Sequence, residues 1–549
     1  WALGLLVLFA LLQGFYAAQL NHVFYVRNGP FYDSLSYNGY LAKVLTVAKS
    51  DGILEGIKTA VNSATVALPF ILAAVASPMA PISRATGVWL QVPWIMALLV
   101  SVYALFRMRL HASRSMAAAL ALPTTSAASV YHWNGGLSDF RMDLHLYLLF
   151  GCAVCWFVLA IYRRNYWFWA ICGAFCGLAA LARATSPIYL LAVFGPIFAI
   201  HFLAGTGGRK RLFIGALIAG AVAAVECGWF FVFRFEDLYF YYFVWNLDAN
   251  AHLPLGISIQ HFVFAAAGVG WPVLLGCVMA VLLSVNWDDF QWSDAWTGCR
   301  HWPWEMVFIA FMPAGFLALR GAGLNPFVSM PTTFGIIVLV LCFRGSWPNV
   351  CRARKTLAIL ALVAGCVFSA QQGWALHAAA GNNRMAAYKR VIATMRSDAR
   401  QRGIKQARFA VTSLGQLCNG ALLNVALFDM RGKWVDGATV ASRKMEYSVP
   451  NGKWYACATY VDWRAVPGER DWEKINTLVS HAGANLEYLI IPTDATVDSL
   501  ERWVAYNYTN LYVRWLKQRL LRDIHLQPIS GDIQVGPNES YVVYAKLGS

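Results

Sequence analysis

Long apolar runs recur along the first two thirds of this chain, and no other feature restricts its fold as strongly. A helix needs about 20 mostly apolar residues to cross the hydrocarbon core of a bilayer. Candidate runs lie at 1–20, 88–106, 115–130, 144–162, 166–182, 186–204, 212–233, 262–285, 305–319, 325–343 and 356–373. A further run at 64–80 is interrupted by Pro69 and Pro78, with Pro81 just beyond. It is expected as a partly embedded helix that does not cross. Charge usage agrees: 13% of the 549 residues are charged, against roughly a quarter in an average soluble protein. From 374 onward the runs stop. Two parts follow, a membrane region over 1–373 and a globular domain of ordinary size over 374–549.

The basic residues set the orientation, because cytoplasmic loops carry an excess of Lys and Arg. With the chain start inside, Arg107, Arg109, Arg114, Arg163, Arg164, Arg209, Lys210, Arg211, Arg300, Arg344, Arg352, Arg354 and Lys355 fall in cytoplasmic turns. Outer loops and helix ends keep Arg141, Arg183, Arg234 and Arg320. The long loop 21–87 is set aside, since the rule is weak for loops beyond roughly 60 residues. A crossing at 64–80 would reverse every later assignment. The pattern predicts a polytopic α-helical membrane protein with about 11 transmembrane helices and an extracytoplasmic C-terminal domain.

The formal net charge of +16 sits in short clusters between apolar runs, with no basic stripe interleaved with aromatics, so nucleic acid is excluded as a partner. Ten of the twelve cysteines precede residue 373, most within apolar runs where they behave as small hydrophobes. Cys152/Cys155 and Cys172/Cys176 have metal-like spacings but lie in apolar helices, and packing is the better reading. Cys418 and Cys457 belong to the globular part, where a disulfide is allowed but not required. The first run begins at Trp1 without Met or a basic leader, and the true start is expected upstream. In the globular part, a helical pattern over 384–402 precedes an apolar stretch at 408–412 and a helix-like segment at 416–427. Strands are expected at 487–492 and 541–546 with a helix over 498–521 between them, which makes a small α/β domain. It contains no phosphate-binding glycine loop and no nucleophile elbow.

This topology gathers acidic and polar loops on the outer face: 21–87, 131–143, 234–261 and 320–326. A carboxylate beside a hydrocarbon interface is a functional candidate by default. Asp33 stands at the centre of the polar stretch 28–40, among Tyr32, Tyr37 and Tyr40, with Lys43 downstream. The plainer alternative is a loop aspartate capping a helix over 34–48. Asp139 and Asp143 could share a helix face as positions i and i+4 and aim into one cleft. Equally, Asp143 could pair with Arg141 or cap the next span. Arg183 closes the element 177–183 at the outer end of a span, where a guanidinium wants a carboxylate or a lipid phosphate, or snorkels to ordinary headgroups. Arg320 faces the same choice. Glu226 lies inside a span, either neutral through desolvation or paired with a basic residue.

The order of these features resembles the GT-C glycosyltransferases, above all the branch of the lipid A aminoarabinose transferases and protein O-mannosyltransferases. Those families have a first outer loop with an aspartate, interfacial helices and a Pro-containing apolar stretch, as at Asp33 and 64–81. A basic turn and an Ala-rich span then lead to a second loop with another aspartate, as at 107–143. A Gly-Leu-x-x-Leu-x-(Lys/Arg) element is matched from Gly177 to Arg183, an aromatic loop by 239–252, and a basic residue before a Pro-containing span by 320–331. The family's acidic pair Asp-Glu is Asp33-Ser34 here, which bears on metal binding and on the geometry of the base.

The resemblance implies transfer of a sugar from a polyprenyl-phosphate-linked donor to a glycan, lipid or protein acceptor. Asp33 would take the acceptor proton, and Arg183, Arg320 or Lys43 would stabilise the departing phosphate. Asp139 or Asp143 would orient a substrate, the sugar ring would lie against Tyr37, Tyr40, Tyr242 and His252, and the anomeric configuration would invert. A divalent ion held by Asp33, His252 and another acid would be compatible, although spacing alone does not show one. Membrane lipids are the other partners, and the bacterial inner membrane, with a periplasmic site, is the expected location. The competing readings are a non-catalytic GT-C-like scaffold subunit and a lipid or solute transporter. The latter would need charges buried mid-span in matching halves.

Overall fold

The computed structural model describes residues 1–28, 33–62, 66–163, 165–239, 263, 265–284, 304–320, 330–342, 351–379, 384–404, 409–412, 448–449, 452–454, 459–461, 480, 486–502 and 513–547. The chain forms two compact units. One comprises 1–20, 44–81 and 85–377, and the other 21–43, 82–84 and 378–549.

The first unit is helical. It opens with α1 (Ala2–Asn28), α2 (Asp33–Ser50), α3 (Ile53–Val61) and α4 (Leu68–Ala76), of which α1 and α2 each extend into the second unit. At nine residues α4 measures about 14 Å, too short to cross, as expected of the interrupted run. Then come α5 (Arg84–Trp89), α6 (Val92–Met108) and α7 (Arg114–Ala121). The Ser113 hydroxyl caps α7, accepting from the Met116 amide at 3.4 Å. The run 115–130 is not the single spanning helix expected. Pro123 cannot donate within a helix, so α7 gives way to a 3-10 turn over Leu122–Thr125.

Next are α8 (Met142–Tyr162), α9 (Trp167–Ala182), α10 (Ser186–Leu203), α11 (Arg209–Phe233) and α12 (Phe235–Tyr239), then α13 (Trp271–Ser284), α14 (Glu305–Arg320), α15 (Met330–Cys342) and α16 (Arg352–Ala379). Among the described residues, the stretches long and apolar enough to cross a membrane are Ala2–Tyr25, Arg84–Met108, Met142–Tyr162, Ser186–Leu203, Arg209–Phe233 and the one opening at Arg352. Shorter apolar helices are Trp167–Ala182, Trp271–Ser284, Glu305–Gly315 and Met330–Cys342. Helix α8 is the hub: 94% of its apolar window is buried, whereas for α11 the share is 6%. A helix apolar all round is stable only if enclosed by others or by lipid, and α8 and α11 take these two solutions.

Arginines close the helix ends on one side of this bundle, where the last carbonyls lack intrahelical donors. Arg163 donates to Met108 O of α6 at 2.6 Å, Arg211 to Ile161 O of α8 at 2.6 Å, and Arg209 to Phe202 O and Leu203 O of α10 at 3.1 Å. The same end holds a buried polar knot. Glu305, the first residue of α14, accepts from the Tyr162 hydroxyl and pairs with His201 Nε2 at 2.8 Å. Trp304 stacks on His201 at 5.0 Å, and the Arg109 guanidinium lies 3.8 Å from the Tyr162 ring centroid. Three helices are thus tied at one point. Removing the carboxylate strands a phenol and an imidazole in a dry site, a loss of roughly 3–5 kcal/mol for a broken buried pair. Glu305→Ala should therefore lower the unfolding temperature of the detergent-solubilised protein markedly, and Glu305→Gln, which keeps an acceptor, by clearly less. Equal effects in a thermal melt would show that the acceptor is not what matters.

In the second unit α17 (Arg384–Gln401) lays Tyr388, Val391, Ile392 and Met395 on a mixed sheet. The strands are β1 (Phe409–Val411), β2 (Ser448–Val449), β3 (Gly452–Trp454), β4 (Thr459–Val461) and β5 (Tyr488–Pro492), followed by α18 (Asp494–Arg502), α19 (Val513–Asp523), β6 (Leu526–Pro528), β7 (Ile533–Gly536) and β8 (Glu539–Lys546). β1 runs parallel to β5, with Phe409 opposite Tyr488, and β8 runs antiparallel to β5, β6 and β7. β2, β3 and β4 form a separate antiparallel sheet that the sequence reading did not anticipate. The expected strands at 487–492 and 541–546 coincide with β5 and β8, and the segment 416–427 lies outside the described residues.

The single helix expected over 498–521 is corrected. Lys517 reaches Asp494 at 2.8 Å and Arg514 reaches Asp498 at 2.6 Å. Residues 494 and 517 on one straight helix would stand about 35 Å apart, so α18 and α19 fold back on each other. Each is amphipathic, and one continuous apolar periodicity hides the reversal.

Candidate active site

The loop between the 3-10 turn and α8 is almost wholly buried, so its polar groups need internal partners. The amides of Ala128 and Ser129 donate to Val269 O and Gly268 O at 3.1 and 2.8 Å. Gln13 of α1 donates to Thr125 O at 2.7 Å and to the Tyr131 hydroxyl at 2.9 Å, and Gln91 donates to Leu137 O at 3.2 Å. From α16, His377 Nε2 accepts from the Ser138 hydroxyl at 2.7 Å while its Nδ1 meets Gly373 O at 2.7 Å, which fixes the tautomer. His132 Nδ1 accepts from the Asn134 amide at 3.1 Å, and burial pushes this imidazole below its ordinary value. The loop is a rigid platform held from several helices.

On this platform Asp139 and Asp143 part company. Asp139 precedes α8 and is not helical, so the two do not share a helix face as expected. Its Oδ2 accepts from the Gly135 amide at 2.8 Å, tying the loop to itself. Asp143 stands in the first turn of α8, where the helix dipole favours a carboxylate. It is buried, forms an ion pair with Arg183 through Oδ1, and lies 3.4 Å from Arg141 Nε. Arg141 in turn donates to Asn134 Oδ1. One carboxylate thus stands between two guanidiniums, and these three side chains together carry one net positive charge.

Arg183 arrives there because α9 ends on it. Its backbone is extended at φ −152°, and Ser186 closes the turn, its hydroxyl donating to Ala179 O at 2.7 Å and to Arg183 O at 2.6 Å. Pro187, in the first turn of α10, needs no intrahelical donor there. Of the anions foreseen for Arg183, the structure supplies the carboxylate. The same Gly177–Arg183 element packs on α11, and a Cβ on Gly177 would fall 2.5 Å from Glu226 Oε2. That buried oxygen has no hydrogen-bond partner among the described residues.

The other expected residues stand on α2 and α14 or lie outside the described residues. Asp33 is the first residue of α2, and its side chain lies outside the described atoms. Tyr37, Tyr40 and Lys43 follow on α2, with Lys43 Nζ 5.6 Å from the Tyr40 ring centroid. All four belong to the second unit, and Asp143, Arg141 and Arg183 to the first. Arg320 ends α14 with its side chain outside the described atoms, and Tyr242 and His252 lie outside the described residues. Among the described residues no three His, Cys, Asp or Glu side chains converge on a metal position. Sequence reasoning passed over His145, one turn along α8, whose Nδ1 meets Arg141 O at 3.2 Å and whose ring packs edge-on to Phe140. It also passed over Arg84, which is buried with its guanidinium 4.5 Å from the Tyr25 ring centroid. The i, i+4 spacing of Arg141 and His145 was a signal for the first. For Arg84 only its position between prolines and a span hinted at burial.

No protein-family model matches the sequence, and no curated protein does. Among solved structures, ArnT from Cupriavidus metallidurans bound to undecaprenyl phosphate superposes with a TM-score of 0.57 at 12% identity, over 99% of this chain and 98% of that one. The apo state of the same protein gives 0.52 at 12% identity, over 96% of each chain. The oligosaccharyltransferase of Archaeoglobus fulgidus in its apo form gives 0.49 at 13% identity, over 92% of this chain and 71% of that one. The two ArnT superpositions, both above 0.5, span nearly the whole chain, and the GT-C resemblance read from the sequence is met in the fold.

If Asp143 anchors Arg183, Arg183→Ala should leave a buried carboxylate under-compensated and destabilise the protein by roughly 3 kcal/mol. Asp143→Asn added to that variant should restore part of the loss. Strictly additive effects in denaturation of the four proteins would exclude the coupling.

Proposed function

We propose that this integral membrane protein is a glycosyltransferase that takes a sugar from a polyprenyl-phosphate-linked donor and passes it, with inversion, to a glycan, lipid or protein acceptor. The observation that supports it best is the trio Arg141, Asp143 and Arg183 at the ends of two apolar helices, on a fold shared over nearly its whole length with a protein crystallised with undecaprenyl phosphate. In this reading Asp143 is the acid of the second loop that serves the site, by holding the two guanidiniums ready for the departing phosphate. Charge developing there meets donors that need no reorganisation. Asp33 is the general base, removing the acceptor proton as the oxygen attacks the anomeric carbon. Arg320 and Lys43 assist at the phosphate, and Tyr37, Tyr40, Tyr242 and His252 line the sugars. A divalent ion at Asp33 and His252 is compatible with this scheme but not required by it. The site and the domain over 374–549 lie on the periplasmic face of a bacterial inner membrane in this reading.

The test separates binding from chemistry. In native mass spectrometry with undecaprenyl phosphate, Arg183→Ala should weaken lipid binding about ten-fold or more, the weight of one charge-assisted contact. Asp33→Asn should bind the lipid as the parent does, yet lose roughly 100- to 10,000-fold in sugar transfer across a panel of undecaprenyl-phosphate-linked sugars. Unchanged transfer by Asp33→Asn would sink the base assignment, and failure of the parent to bind the lipid would sink the donor class.

A further inference from the structure

Helix α17 carries exposed positive charge that no described acid of its unit pairs with. Its buried side, Tyr388, Val391, Ile392 and Met395, packs on the sheet. On the opposite side Arg390, Arg396 and Arg400 are exposed and have no acidic partner among the described residues, with Lys389 beside them. At 100° per residue these four fall within about a third of the helix circumference. The one acid of the helix, Asp398, is turned away to Arg402 and to the Tyr488 hydroxyl, which donates to it at 2.8 Å.

Helix α19, in the same unit and equally basic, behaves differently. Arg514 pairs with Asp498 at 2.6 Å, Lys517 with Asp494 at 2.8 Å, and both Arg519 and Arg522 with Asp523 at 2.7 Å. The contrast is between charge neutralised within the fold and charge left facing outward.

The chain also limits how far the start of α17 stands from the end of α16. α16 is a membrane helix of 28 residues, with Trp374 exposed near its end, where indole rings favour the headgroup layer. Only residues 380–383 separate it from α17, no more than roughly 20 Å of extended chain. With its start held within that reach, α17 lying along the membrane surface would bring its cationic face to anionic phospholipid headgroups, which attract basic segments over about a Debye length.

We propose that the Arg390, Arg396 and Arg400 face of α17 docks on anionic phospholipid headgroups of the membrane in which the protein sits. This does not depend on the transferase reading. The full-length protein would be reconstituted into nanodiscs of phosphatidylcholine alone, and of phosphatidylcholine and phosphatidylglycerol in equal parts. Amide hydrogen exchange over 384–402 would then be compared. The expected result is exchange at least about five-fold slower in the mixed discs, the weight of a single basic side chain beside an anionic leaflet. High salt should remove the protection. The triple variant R390Q/R396Q/R400Q should lack it, the triple Lys variant should keep it, and α19 should be unaffected in all. Equal exchange in the two discs, or protection that survives in the Gln variant, overturns the proposal. So does protection that heparin confers in phosphatidylcholine discs while phosphatidylglycerol confers none, which would assign the face to a soluble polyanion.

Discussion

A guanidinium at the end of a membrane helix must be given an acceptor, because its charge cannot be shed and lipid offers no replacement for water. This chain meets the requirement in two ways, one at each end of its central helices. Where α6, α8 and α10 finish, Arg163, Arg209 and Arg211 donate to backbone carbonyls that the helices leave open. Those arginines are consumed by architecture. Where α8 begins and α9 ends, Arg141 and Arg183 share the carboxylate of Asp143 instead. A carboxylate can accept from two guanidiniums at once, whereas a helix carbonyl here only terminates a ladder.

The same division explains the rigidity around Asp143. A buried ion pair returns its desolvation cost only when its geometry is closely held. Helix α8 is enclosed along its length, the loop before it is bonded to α1, α16 and the segment before α13, and the knot at Glu305 fastens its far end to α10 and α14. Constraints at both ends of one helix fix its depth, and with it the level at which Asp143 meets Arg183.

How much of this was legible depended on whether the signal was periodic or contextual. The long spans were readable because lipid demands uninterrupted apolar length, and α4 was read as non-crossing because its prolines spoil that length. The run 115–130 misled, since composition counts Pro123 as one residue whereas the backbone treats it as an end. Asp139 and Asp143 looked alike at i and i+4, but that spacing means a shared face only inside a helix, and α8 starts between them at Met142. Arg183 was singled out for needing an anion, and its partner lies 40 residues away in sequence. Glu305 and His201 escaped notice altogether. Each sits at the margin of an apolar run, and what joins them is a helix contact 104 residues apart that no local pattern encodes.

The stoichiometry of the trio bears on what it can do. Two guanidiniums with no carboxylate would repel each other and be expensive to bury. Two with two carboxylates would be content, and would have no field left for a ligand. One carboxylate between them holds both in place, satisfies part of the donor capacity of each, and leaves these three groups positive by one unit. In the proposed reaction the donor's phosphodiester already carries one negative charge and gains more as its sugar departs, so its interaction with the two guanidiniums would strengthen along the reaction coordinate. Among the described residues the two arginines surround one acid, an arrangement that a simple salt bridge does not offer.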